Sequence, residues 1–79
     1  MYENGVSLMT PVGVIEGEIL QELETLGATT IRQLVRKLDW PASLVIMAIG
    51  ALIRAGIVCG RHHELEIVVR LPNQEGGVP

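Results

Sequence analysis

The chain of 79 residues contains no phenylalanine, one tryptophan, one tyrosine and one cysteine. Because Cys59 stands alone, no disulfide can form within the chain, and none of the usual spacings of thiolate metal ligands is met. With Tyr2 and Trp40 as the only aromatic residues, the core must consist of isoleucine, valine and leucine. Hydrophobic residues make up 48% of the chain, which predicts one folded domain and excludes a disordered chain.

The sequence also lacks an apolar run of the roughly 20 residues that a membrane span requires. The longest candidate extends from Ala42 to Ile53, where Arg54 interrupts it. A run of this length is typical of a buried helix. The first residues lack the basic start and apolar stretch of a signal peptide. We therefore expect a cytoplasmic protein without a membrane role.

Lysine and arginine are absent from the first 26 residues, which carry five glutamates. Residues 27–63 carry five lysines and arginines against Asp39 alone, although the whole chain has a net charge of -3. Such sorting of charge is found in proteins that bind a polyanion through one face. It is found equally in proteins whose surface charge is simply solvated, so both interpretations stay open.

The apolar pattern predicts a first helix that begins after the N-cap Thr10, with Pro11 as its first residue, and ends at Gly27. Its buried stripe has spacings of three and four residues and consists of Val12, Ile15, Ile19, Leu23 and Leu26. A second helix, from about Ile31 to Leu38, follows the capping-box pair Thr30 and Gln33. The apolar residues that it is expected to bury are Ile31, Leu34, Val35 and Leu38.

The dipeptide Trp40-Pro41 breaks the chain, and a third helix is predicted from about Pro41 to Ala55, before Gly56. Two strands, "IVCG" and "ELEIVVRL", are predicted to follow, with a turn near residues 61–63 between them. Alternation in the second strand places four residues on one face: Leu65, Ile67, Val69 and Leu71. Ala28-Thr29 is expected to add a short strand. We expect one domain over residues 10–72, a flexible segment 1–9 and a disordered tail 73–79.

This order of elements predicts an α+β, mostly α, winged helix-turn-helix: three helices followed by a two-stranded β-hairpin wing. The segment "LDWPASLVIMAIGALIRAGIV" resembles the helix-turn-helix of winged-helix transcription regulators in its apolar and glycine positions, which are Leu38, Trp40, Val45, Ala48, Ile49, Leu52, Gly56 and Val58. More narrowly, "MAIGALIRAGIV" resembles a family of small stand-alone bacterial and archaeal winged-helix proteins of unassigned function. The positions that fit that family are Ala48, Gly50, Arg54 and Gly56. The resemblance covers about residues 12–71 and implies the fold, which by itself does not fix an activity.

The outer face of the third helix has few groups that read DNA. With Val45, Ala48, Ile49 and Leu52 toward the core, steps of about 100° place four residues opposite: Ser43, Met47, Gly50 and Arg54. In DNA-binding winged helices this face enters the major groove, where polar and basic side chains read the bases. Only Ser43 and Arg54 are of that kind, and Arg54 lies in the last turn.

The same helix carries apolar residues that need a cover. Leaving Leu44, Ile46 and Met47 exposed would forgo roughly 4–9 kcal/mol, against a total stability of about 5–15 kcal/mol for a small domain. A contiguous exposed patch usually marks an interface, and a glycine at position 50 lets another helix approach. The predicted interface is Leu44, Ile46, Met47, Gly50, Ala51 and Arg54. Alternatively, the chain's own Val6, Leu8 and Met9 cover these flanks.

Two functions follow from this pattern. The first is a non-enzymatic binding module, expected to be a homodimer or to bind another protein through the third helix. The second is a DNA-binding transcriptional regulator that contacts phosphates through the second helix and the wing. Its candidate contacts are Arg32, Arg36, Lys37, Ser43, Arg61, His62 and His63.

Catalytic and metal-binding chemistry finds little support. Cys59, His62, His63 and Glu64 are types that bind zinc, but adjacent histidines on a turn point apart and no standard ligand spacing is met. The chain has no glycine-rich phosphate loop, and Ser43 with a distant histidine pair does not define a triad. We therefore expect no catalytic residues, no metal and no cofactor.

Overall fold

The structure is a computed structural model, and it describes residues 10–72. The expected flexible segment 1–9 and the expected disordered tail 73–79 lie outside the described residues. The N-terminal alternative cover for the third helix, Val6, Leu8 and Met9, lies outside them as well. Within the described part of the chain, no helix combines the length and the apolar character needed to cross a membrane.

Three helices and three strands make up the described fold. In chain order they are α1 (Pro11–Leu26), β1 (Thr29–Thr30), α2 (Ile31–Lys37), α3 (Ala42–Arg54), β2 (Cys59–His63) and β3 (Glu66–Arg70). The strands form one antiparallel sheet in the order β1-β3-β2. The predicted α+β class and winged-helix layout are thereby confirmed. We call β2, β3 and the turn between them the wing.

Local capping chemistry explains where the first helix begins and ends. The Thr10 hydroxyl accepts a hydrogen bond from the Gly13 N–H at 3.1 Å, which satisfies one of the free donors of the first turn. At the other end Gly27 has a φ of 84° and donates its N–H to the Leu23 carbonyl. Only glycine adopts such a φ without steric cost, so the sequence prediction for α1 is confirmed at both ends.

The predicted capping box of α2 is also present. The Gln33 N–H donates to the Thr30 hydroxyl at 3.0 Å, and the Thr30 N–H donates back to Gln33 Oε1 at 3.3 Å. The same Gln33 oxygen accepts the hydroxyl of the buried Thr29 at 2.7 Å. Thr29 and Thr30 pair with Val69 and Val68 of β3, so the expected short strand exists one residue later than predicted.

The core lies between the helices and one face of the sheet. It contains Ile15, Ile19, Leu23, Leu34, Leu38, Val45, Ala48, Ile49, Leu52, Val58 and Val69. The predicted inner face of α3 is therefore confirmed. On α1 the three central stripe residues are buried, whereas Leu26 at its end is about half exposed. Trp40, just before α3, donates its indole N–H to Glu18 Oε1 of α1 at 2.9 Å.

The predicted position of the wing turn is wrong. Strand β2 continues through His63, and the chain reverses at Glu64 and Leu65, with His63 paired to Glu66. Glu64 has a φ of 58° in the left-handed region, which a tight reversal requires. Strand β2 lies at the sheet edge with four of its five residues exposed, so its polar sequence resembled a turn. Leu65 consequently lies in the turn and is not part of the buried strand face.

Candidate interaction surface

The outer face of α3 is apolar and exposed. Ser43, Met47, Gly50 and Arg54, which helix geometry places opposite the core, are all exposed. Met47 has 56% and Ile46 has 52% of its surface accessible. Apart from its chain neighbours and the nearby backbone of α3, no described heavy atom lies within 4 Å of the point where a Cβ on Gly50 would be. This face therefore presents two large apolar side chains beside a bare stretch of backbone.

The two flanks of α3 differ, which the sequence did not indicate. Leu44 is half-buried and packs against the core, and Ala51 is half-buried as well. Ile46 and Ile53 lie on the other flank, where Ile53 is 37% exposed. The exposed apolar side chains are therefore concentrated on that flank, so Leu44 and Ala51 contribute less to the surface than predicted.

The wing extends this apolar flank. A Cβ on Gly60 of β2 would lie 2.9 Å from Ile53 Cδ1 and 3.9 Å from Ile67 Cγ2. A Cβ there would require the end of the Ile53 side chain to shift, so Ile53 packs directly over the backbone of Gly60. Ile67 of β3 is 36% exposed and Leu65 in the turn is 94% exposed. Leu65 and Ile67 line one groove together with Ile46 of α3, so this flank of α3 and the wing share an apolar border.

We call this the α3–wing surface, and it consists of Ile46, Met47, Gly50, Ile53, Leu65 and Ile67. A groove of about 410 Å³ opens beside it, between α2, the start of α3 and the wing. Its apolar lining is Ile31, Val35, Ala42, Ile46, Leu65 and Ile67. The two charged residues that also line it are Arg32 and Glu66.

Sequence reasoning found part of this surface and missed part of it. It identified Ile46, Met47 and Gly50 from helix periodicity alone. It missed Ile53, and it assigned Leu65 and Ile67 to a face directed at the core. The one signal in the sequence was Gly60, because a glycine inside a strand often marks a close approach of another chain segment.

The basic residues of α2 and the wing meet in a second groove of about 430 Å³. Arg32 and Arg36 of α2 and His63 of β2 line it together. Glu64 and Glu66 line it too, so its charge is mixed. Three of the seven predicted nucleic-acid contacts are therefore brought together, but beside two carboxylates.

The other predicted nucleic-acid contacts are dispersed. Lys37 forms an ion pair with Glu22 of α1, with 3.2 Å between Nζ and Oε1. Arg61 is paired with Val68 and His62 with Ile67, and successive strand residues point to opposite faces of the sheet. His62 therefore shares the Ile67 face, whereas Arg61 lies on the other one. Ser43 is exposed in the first turn of α3.

The residues considered as metal ligands do not form a cluster. Cys59 and His62 belong to opposite faces of β2 by strand alternation. Across residues 10–72, no three histidine, cysteine or acidic side chains are arranged so that they could hold a metal ion together.

The described site is therefore an apolar helix–hairpin surface next to a groove of mixed charge, without a recognisable set of reactive groups. Comparison of the chain with models of protein families and with curated proteins gives no match.

Proposed function

We propose that this protein is a non-enzymatic winged-helix binding module that associates with a second copy of itself through the α3–wing surface. The observation that carries the proposal is the set of exposed apolar side chains on α3 and the wing, where Ile46 lines one groove with Leu65 and Ile67 and the exposed Met47 follows Ile46 on α3. Contiguous apolar patches of this kind on small proteins usually mark interaction sites.

The energetics favour a covered surface. Each large aliphatic side chain gains about 1.5–3 kcal/mol when it is fully buried. A domain this small buries only about 60% of the surface of its unfolded chain. Of the seven large hydrophobic residues that are exposed in the described chain, five lie on the α3–wing surface. A second copy would cover them.

Gly50 supports a helix as the element that packs there. A glycine inside a helix costs about 1 kcal/mol relative to alanine, and the open space above Gly50 would accept a side chain. The fold of the monomer therefore does not require a glycine at position 50. A helix of the second copy could approach α3 closely at this position, because helices pack more closely where one of them lacks a Cβ.

The test is the molar mass in solution, measured by light scattering across a dilution series for the wild type and Met47→Glu. We expect a wild-type dimer and a folded Met47→Glu monomer, with dimerisation weakened about a hundredfold or more because a carboxylate would be buried without a partner. The matched control is Leu26→Glu, at an apolar residue of α1 that is also about half exposed. A wild-type monomer at every concentration would refute self-association.

DNA binding is the second candidate function, and the groove shared by Arg32, Arg36 and His63 favours it. These side chains would contact phosphates, which position a protein on DNA without reading its sequence. The outer face of α3 offers Ser43 and Arg54 for base contacts, so binding would depend little on sequence. The carboxylates of the groove oppose it, and for that reason we rank it second.

Its test is fluorescence anisotropy with a labelled DNA duplex at several salt concentrations. A dimer that engages Arg32 and Arg36 in each subunit neutralises about four phosphates, which predicts a slope of log affinity against log salt of about -4. Arg36→Glu removes one contact per subunit and should reduce that slope by about 2. A slope near zero, or one that Arg36→Glu does not change, would exclude this mode of binding.

A further inference from the structure

We propose that the wing tip of one copy docks Leu65 into the groove between α2, α3 and the wing of a second copy, and that Arg32 and Glu66 pair across this interface. The inference rests on the proposed self-association and specifies its contacts. Three observations carry it: the exposure of Leu65, the apolar lining of the groove and the charges beside it.

Leu65 is the most exposed large hydrophobic residue of the described chain. It lies at the tip of a hairpin whose turn places Glu64 in the left-handed region, so the backbone holds the side chain away from its own core. An exposed apolar side chain on a tightly turned support can enter a pocket of a partner, where burial of its surface is favourable.

The groove supplies a matching receptor. Ile31 and Val35 of α2 and Ile46 of α3 line it, and they are only half-buried or exposed. Leu65 and Ile67 border the same groove from the wing. The anchor and the receptor are thus neighbours on one face of one chain.

That arrangement favours a two-fold partner. In a two-fold interface each copy uses the same patch, so the patch must complement itself. An axis beside the wing tips would place each Leu65 over the groove of the other copy. A patch that combines an apolar anchor with an apolar groove satisfies this condition without a different partner.

The charges that line the groove are also self-complementary. Arg32 and Glu66 have opposite charges and both line it. Among the described residues, neither takes part in an ion pair. A two-fold axis brings Arg32 of one copy toward Glu66 of the other, twice in each dimer. Complementary charges fix the orientation of an interface and reject mismatched partners.

The first test is Leu65→Ser, analysed by light scattering and by sedimentation across a dilution series. We expect the dissociation constant of the dimer to rise about a hundredfold or more, because two anchors are lost per dimer. Leu26→Ser is the matched control, since Leu26 is also exposed but lies at the end of α1. Unchanged circular dichroism would show that both variants are folded.

The second test exchanges charges. Arg32→Glu and Glu66→Arg should each weaken self-association at least about tenfold, because like charges then face each other. The double variant Arg32→Glu/Glu66→Arg should dimerise again. An equimolar mixture of the two single variants should form heterodimers, since every facing pair is then opposite in sign. Glu24→Arg, on the exposed surface of α1, controls for net charge.

The outcomes separate this inference from the proposed function. A wild-type dimer that Met47→Glu dissociates, but that Leu65→Ser and the charge reversals leave intact, would overturn the wing-tip docking and keep the α3 interface. Loss of association in the single charge variants without recovery in the mixture would also overturn the pairing. A wild-type monomer would overturn both proposals together.

Discussion

A side-chain hydrogen bond links the turn before α3 to α1. The indole N–H of Trp40 donates to Glu18 Oε1 at 2.9 Å, across 22 positions of the sequence. Both side chains are half-buried, so water does not fully replace the contact when it is lost. Trp40 also packs against the core, so the bond fixes the residue just before α3 relative to α1.

We expect Glu18→Ala to lower the free energy of unfolding by about 1.5–3 kcal/mol, the usual net value of a hydrogen bond to a charged group. Glu18→Gln keeps an oxygen acceptor and should lose less than about half of that. Urea unfolding, followed by circular dichroism and by the fluorescence of the only tryptophan, measures the effect. The exposed Glu24→Ala is the control, and equal stability of the two alanine variants would show that the bond contributes nothing.

Helix ends were predictable because their chemistry is local. The residues that cap α1 and α2, such as Thr10, Gly27 and the Thr30–Gln33 pair, act within three or four positions of one another. Their side chains compete with solvent for the same few backbone groups in any fold. Sequence reasoning therefore placed every helix boundary within one residue of its position in the structure.

The wing was harder to predict because its pattern depends on distant elements. Strand β2 is an edge strand, so hydrophobic alternation is missing and its histidines suggested a turn. Because the turn lies at Glu64 and Leu65, Leu65 is not part of the strand face that is directed at the core. Likewise, the contact of Ile53 with Gly60 arises only after the hairpin packs on α3. Ile46, Met47 and Gly50 of the surface were thus predicted, whereas Ile53 and the residues of the wing were not.

The flanks of α3 illustrate the same limit. Helix periodicity placed both Leu44 and Ile46 on the flanks of α3 and predicted the same exposure for each. Only tertiary packing decides that Leu44 is covered by the core and that Ile46 borders a groove. A helical wheel gives the direction of a side chain, whereas its burial depends on which neighbour lies there.

For the molecule as a whole, the proposed self-association would be coupled to folding. A ligand or partner that binds only the native state stabilises it by mass action, so a self-associating domain unfolds at a temperature that rises with its own concentration. A small domain with a marginal core benefits most from this coupling. Gly17 of α1 and Gly50 of α3 both lie inside a helix and both have open space where a Cβ would lie. Substitutions at these two positions can therefore separate a change in the stability of the monomer from a change in association.

We expect Gly17→Leu and Gly50→Leu to raise the intrinsic stability of the monomer by similar amounts, about 0.8 kcal/mol, through helix propensity. For a domain of this size that corresponds to an increase in Tm of roughly 3–6 °C. Gly50→Leu should also prevent another helix from approaching α3, whereas Gly17→Leu should not. Thermal unfolding at several protein concentrations measures both the stability of the monomer and the contribution of association.

In dilute solution, both leucine variants should therefore melt above the wild type. As the concentration rises, the Tm of the wild type and of Gly17→Leu should increase, and that of Gly50→Leu should stay constant. If Gly50→Leu followed the wild type instead, the two copies would not meet at α3. If all three proteins melted at fixed temperatures, the exposed apolar residues would stabilise no assembly of this chain. The two leucine variants thus separate a glycine that only weakens its helix from a glycine that makes room for a partner.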